Sequence, residues 1–214
     1  MAATGSARFA ATFVVAFALS GAAYLNLPPP TFSPAFIAFM LPAAALGVYL
    51  LLGPMLDGRR VDAAGRDAYD AIVFRVVLFI LALHGIVLLG LLGRGLFARN
   101  GPIVARLTPL ALGVALIAVG NLMPRLRPNP ALGIRTSRAL ADRGVWMRAN
   151  RTAGYVAVAL GVALVLIATM MTPGPAFRVA ISIAGATAVA AVAIAIVRTS
   201  AAGEPRERSG DQGV

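Results

Sequence analysis

No charged side chain occurs between Arg8 and Asp57. Pro28, Pro29, Pro30 and Pro34 interrupt that run. It therefore predicts two helices, Phe9–Leu27 and Ala35–Leu56, joined by a short uncharged loop. Later apolar blocks predict helices at Ala71–Leu92, Ile103–Met123, Ala153–Thr172 and Ala176–Val197, with Pro173, Gly174 and Pro175 separating the last two. Each block is close to the ~20 residues that cross a hydrocarbon core. A span must satisfy its own backbone in lipid, and the blocks lack the alternation of barrel strands. The pattern thus predicts an all-α polytopic membrane protein, a bundle of six transmembrane helices over residues 1–198. Residues 199–214, rich in Gly, Ser, Pro and charge, are expected to be a disordered tail. Arg8, an apolar stretch and small residues at Gly21–Ala23 give the first segment some signal-peptide character, but it is read as a retained span.

Composition agrees with burial in lipid. The chain is 59% hydrophobic and 13% charged, against about a quarter charged in soluble domains. Its mean hydropathy is +0.85. The formal net charge is +11, and every basic residue apart from His84 is arginine. Such a charge suits nucleic acid, yet the arginines lie at block ends and in loops, so direct nucleic-acid binding is not expected. With the N-terminus inside, seven arginines fall in one inner segment, Pro124–Thr152, whereas the outer side holds only Arg94, Arg99, Arg106 and Arg178. This asymmetry places both termini in the cytoplasm. Arg75 is expected in the first turn of the third span. The absence of cysteine excludes disulfides and thiolate chemistry.

Two inner loops carry the polar chemistry. Asp57–Asp70 holds four Asp and three Arg without calcium-loop spacing. It reads as a solvated turn with local ion pairs, or as an acidic partner for the second loop. That second loop, Pro124–Thr152, has one acid, Asp142. Pro128, Pro130 and Gly133 preclude a continuous helix, and Asn129 suits a turn hydrogen bond. Asp142 is a plausible N-cap for a helix in which Val145, Trp146, Ala149 and Ala153 share one face and Arg148 and Arg151 the other. Trp146 is expected at interfacial depth.

The ordered elements Gly-Asn-x-x-Pro-x-x-x-Pro-Asn from Gly120, Gly-Ile-Arg-Thr at Gly133–Thr136, Trp146, and Asn-Arg-x-Ala-Gly at Asn150–Gly154 resemble the SdpI-like family of bacterial membrane proteins. The match covers about residues 120–154. Many relatives look like Thr-Pro-Trp-Thr-Leu where this chain has Thr136–Leu140, and many carry His in place of Asn150. The resemblance implies six spans in the bacterial cytoplasmic membrane and protection against a membrane-active toxic peptide. It further implies, from the family's named member, capture of a transcriptional regulator at the membrane.

Arg135 is the foremost candidate functional residue, suited to a lipid phosphate, a carboxylate or an acidic partner surface. Asn129, Gly133 and Thr136 are expected to shape the turn that presents it, with Asn150 and Arg151 bonding back to that turn. Asn121, near the inner end of the fourth span, is a candidate helix cross-link. His84, the only histidine, lies within the third span and is either a proton-sensitive group or an interhelical hydrogen-bond donor. Gly113 and Gly120, with Gly154 and Gly161, permit close helix approach. No nucleophile–base pair or metal-ligand set stands out, so neither an enzyme nor a cofactor is expected. The expected partners are the lipid bilayer, a toxic peptide and a cytoplasmic regulator. The alternative function is a small-molecule or ion transporter, for which His84 is the available coupling group.

Overall fold

The computed structural model describes residues 2–26, 34–52, 63–91, 96–129, 132–183 and 186–187. Among them are α1 (Ala2–Asn26), α2 (Pro34–Leu52), α3 (Ala63–Leu91), α4 (Leu96–Gly120), a 3-10 turn (Met123–Arg125), α5 (Ser137–Ala141) and α6 (Arg143–Met170). No strand occurs among the described residues. Among the described residues four stretches are long and apolar enough to cross a membrane: Ala7–Asn26, Arg66–Gly90, Gly101–Arg125 and Arg143–Met170. Ala38–Leu52 is a shorter apolar helix. The chain divides into residues 1–177 and 178–214. In the second unit residues 178–183 and 186–187 are helical. Most of the sixth expected span and all of the expected tail lie outside the described residues, as do the Pro28–Pro30 and Asp57–Asp62 parts of the first two expected loops.

Within the first unit, helices adjacent in sequence pack together: α1 on α2, α2 on α3, α3 on α4, and α4 on α6. Phe9, Phe13, Ala45, Tyr69, Val73 and Val77 form a core shared by α1, α2 and α3. Phe9 meets Phe74 edge-on with ring centroids 5.1 Å apart, an arrangement favoured by the ring quadrupoles. Many larger apolar side chains remain exposed, among them Leu25, Leu51 and Met170. Water would disfavour such a surface, whereas hydrocarbon accepts it.

α4 and α6 approach most closely at two glycine pairs. A Cβ on Gly161 would lie 2.6 Å from the Gly113 carbonyl oxygen, and one on Gly154 would lie 2.6 Å from that of Gly120. As position rises by seven along α4, it falls by seven along α6, so the helices run antiparallel. A seven-residue spacing returns each glycine to nearly the same helix face. The absent side chains let backbone meet backbone, which strengthens dispersion contact where no hydrophobic effect operates between helices.

Residues 173–175, expected as a turn, are helical, and α4 begins at Leu96 rather than Ile103. Around α3 the polar boundaries differ from the expected ones in three further respects. α3 begins at Ala63, so residues 63–70 are helical rather than loop. Arg75 therefore lies well inside α3 instead of in its first turn. Asp70 forms an ion pair with Arg8 of α1, a distant partner rather than a local one or the basic loop. The Arg8 guanidinium also sits 4.6 Å from the Phe74 ring centroid, which adds a cation–π contact to a half-exposed pair.

Candidate functional site

α4 stops at Gly120, and Pro124 is the second residue of the Met123–Arg125 3-10 turn. Proline in a helix's first turn loses no backbone bond, because its missing N–H would have no intrahelical partner there. The chain then returns through an extended turn to α5 and α6. Thr136 caps α5, its hydroxyl accepting from Ala139 N at 3.1 Å. Asp142 caps α6, its carboxylate accepting from Gly144 N at 2.6 Å and Val145 N at 3.2 Å. The Val145 and Gly144 N–H groups, aided by Arg148 and Arg138, hold the Asp142 carboxyl below its ordinary pKa.

Two side chains, Trp146 and Asn150, tie the turn to α6, and a third, Asn129, closes it internally. The Trp146 indole Nε1 donates to the Leu126 carbonyl at 2.8 Å. Asn150 Oδ1 accepts from Ile134 N at 2.9 Å, while its Nδ2 donates to the Trp146 carbonyl at 3.0 Å. Asn129 Oδ1 accepts from Leu132 N at 2.7 Å, and its Nδ2 donates to the Arg127 carbonyl at 2.8 Å. Trp146 and Asn150 are fully buried, and Asn129 is 4% exposed. A buried amide whose donor and acceptor are both used avoids the desolvation penalty of an unpaired polar group. Gly133 completes the turn with φ +99°, and a Cβ there would collide with Asn150 Oδ1. Glycine is required on both counts.

The structure thus gathers Asn129, Gly133, Thr136, Trp146 and Asn150 in one turn and its flanking helices. Trp146 is a core residue in that arrangement, packed with Ile72, Leu122, Leu126 and Ala139, rather than an anchor exposed at the interface. Arg135 and Arg151 are exposed, with Arg125, Arg138, Arg143 and Arg148 exposed nearby in sequence. Of the two neighbours expected to bond back to the turn, Asn150 does so, and among the described residues Arg151 does not. Asn121 lies just past the end of α4 and is exposed, so it does not cross-link helices.

His84 sits apart from the turn. It is 3% exposed on α3, with Nε2 2.9 Å from the Ser20 hydroxyl of α1. Ser20 gives its single proton to the Ala16 carbonyl at 2.9 Å. The network therefore assigns the bridging proton to His84 Nε2, making the ring an interhelical donor. His84 Nδ1 has no hydrogen-bond partner among the described residues. The Ser20 and Asp70 partnerships were missed in the sequence, since neither has a local signal; each joins residues more than sixty positions apart.

Apolar spans joined by a basic, internally hydrogen-bonded turn define a helical membrane protein. Residues 125–200 match the model of the SdpI/YfhL protein family. This match takes in the turn, α5 and α6, and it supports an SdpI-like family assignment for the chain. Comparison with curated proteins and with solved structures gave no match.

Proposed function

We propose that this chain is an SdpI-type immunity protein of the bacterial cytoplasmic membrane, protecting that membrane against a toxic peptide. The observation that carries the reading is the family match over residues 125–200, which coincides with the turn held by Trp146 and Asn150. The spans bind the peptide or deny it a target within the bilayer, and no covalent chemistry is required. The buried side of the turn fixes its shape, while exposed Arg135 and Arg151 offer guanidinium groups to lipid phosphate or to an acidic face of a cytoplasmic regulator. Both termini lie in the cytoplasm on this reading, as the arginine distribution favours.

The test is survival and membrane potential of cells with and without the protein, challenged with membrane-active peptides, including any small toxin encoded beside its gene. Wild type is expected to protect. Arg135→Ala, checked for equal abundance in the membrane, is expected to lose protection. A lack of protection against every peptide would overturn the immunity reading. A second reading, ion or small-molecule transport, is favoured by one observation: buried His84, inside a span, leaves Nδ1 without a partner among the described residues. Flux into proteoliposomes that disappears with His84→Ala would support it.

A further inference from the structure

A cavity of about 370 Å³ lies between α3 and α4. Phe79 and Ile86 of α3 and Leu107, Ala111 and Ala118 of α4 are among its lining residues. Every lining residue but Arg75 is apolar. Ile72 and Val76 pack in one cluster with Val119 and Leu122, which places Arg75 at the Ala118 end of the cavity. That is the end carrying the basic turn.

Arg75 has an unusual setting. It is half-buried inside a membrane-length helix, and Nη1 donates to the Ala71 carbonyl one turn earlier at 3.2 Å. No carboxylate pairs with it among the described residues, and Asp70, five positions away, is taken by Arg8. A cation inside a span normally finds a counter-charge or a polar path. Among the described residues the other guanidinium donors of Arg75 have no protein acceptor, while the groove it borders is lined with hydrocarbon.

The dimensions select the occupant. From Arg75 to Ile86 the helix rises by about 16 Å, at 1.5 Å per residue. One leaflet of the hydrocarbon core is about 15 Å, half of the ~30 Å total. The groove therefore has about the length of one acyl chain, with its cation at the end nearer the basic turn. We propose that the α3–α4 cavity is a binding site for an anionic phospholipid, which lays one acyl chain along Phe79 and Ala111 and sets its phosphate on Arg75. The guanidinium fork matches a phosphate bidentately, and a zwitterionic lipid brings an amine that offsets the attraction. The site lies outside residues 125–200 and does not depend on the immunity reading.

The test uses the full chain in mild detergent, equilibrated with equal amounts of phosphatidylglycerol and phosphatidylcholine of identical acyl chains. Native mass spectrometry then counts the lipid retained. Wild type is expected to prefer phosphatidylglycerol by about tenfold, which corresponds to ~1.4 kcal/mol. Arg75→Gln is expected to bring the ratio near one while total lipid persists, and Arg75→Lys to keep part of the preference. Ala115→Phe, which fills the cavity, is expected to lower retention of both lipids. Ala111→Phe is the second cavity-filling variant should the first misfold, as judged by circular dichroism. An unchanged ratio in Arg75→Gln, or unchanged retention in a folded cavity-filling variant, would overturn the proposal. So would displacement of the lipid by inorganic phosphate alone, or a co-purified peptide occupying the site.

Discussion

A methyl group added at Gly161 tests how α4 and α6 meet. It would lie 2.6 Å from the Gly113 oxygen, 2.8 Å from Ile117 Cγ1 and 2.9 Å from Ile117 N. Two of these atoms are backbone, so no side-chain rotation relieves the contact. Ordinary separation is about 3.5 Å, so the helices must part locally by nearly ~1 Å. Overpacking of this kind costs about 1–3 kcal/mol. Alanine recovers up to ~1 kcal/mol of helix propensity relative to glycine. With two backbone atoms in the clash the overpacking cost falls in the upper half of its range, about 2–3 kcal/mol, so the net expectation for Gly161→Ala is a loss of roughly 1–2 kcal/mol. Gly85 provides the control, because nothing lies within 4 Å of a Cβ added there. Gly85→Ala should leave stability unchanged or slightly raised. The assay is equilibrium unfolding from mild detergent into sodium dodecyl sulfate, followed by fluorescence of Trp146, the only tryptophan. Equal midpoints for Gly161→Ala and wild type, or an equal loss in Gly85→Ala, would refute the backbone-contact argument.

Trp146→Phe removes the donor to the Leu126 carbonyl and should cost about 1–3 kcal/mol, because Leu126 is buried; unfolding followed by circular dichroism measures it. Asn150→Leu deprives Ile134 N of its acceptor, and trypsin should then cleave faster after exposed Arg135 while the spans remain helical. Gly133→Ala should loosen the same turn, because it combines a strained φ with a collision at Asn150. Acid should weaken the start of α6: the folded Asp142 pKa is depressed, so its contribution is full above the ordinary aspartate value near ~4 and is lost as pH falls through the lower folded value. Amide exchange at Gly144 and Val145 should therefore accelerate, after correction for intrinsic rates, in that acid window; no acceleration there would refute the cap's contribution.

The candidate residues were legible in the sequence to different degrees. Asp142 as a cap follows from its position before a helical face, and the structure gives it two backbone donors. Gly113, Gly120, Gly154 and Gly161 could be marked as sites of close approach from residue type alone, but their pairing needed the antiparallel packing of two helices. Asn129 and Gly133 were legible as turn residues through the prolines around them. The burial of Trp146 was not legible, because an amphipathic face has the same spacing whether it meets lipid head groups or another helix. The start of α3 was misplaced because Asp67, Asp70 and Arg66 look like loop residues until Arg8 is brought opposite Asp70.

The sequence alone determined the apolar helices, since a chain surrounded by hydrocarbon must bond its backbone within each span. It also marked the turn around Gly133, which adopts a φ that other residues resist, whereas proline alone did not mark the turns, since Pro42, Pro102 and Pro109 lie inside helices. Only the tertiary structure decided partners: Ser20 for His84, Arg8 for Asp70, the Leu126 carbonyl for Trp146, and a cavity beside Arg75. Periodicity fixes which face of a helix a residue occupies. It carries no information about which distant face will be packed against it, because that choice depends on the shape and polarity of every helix at once.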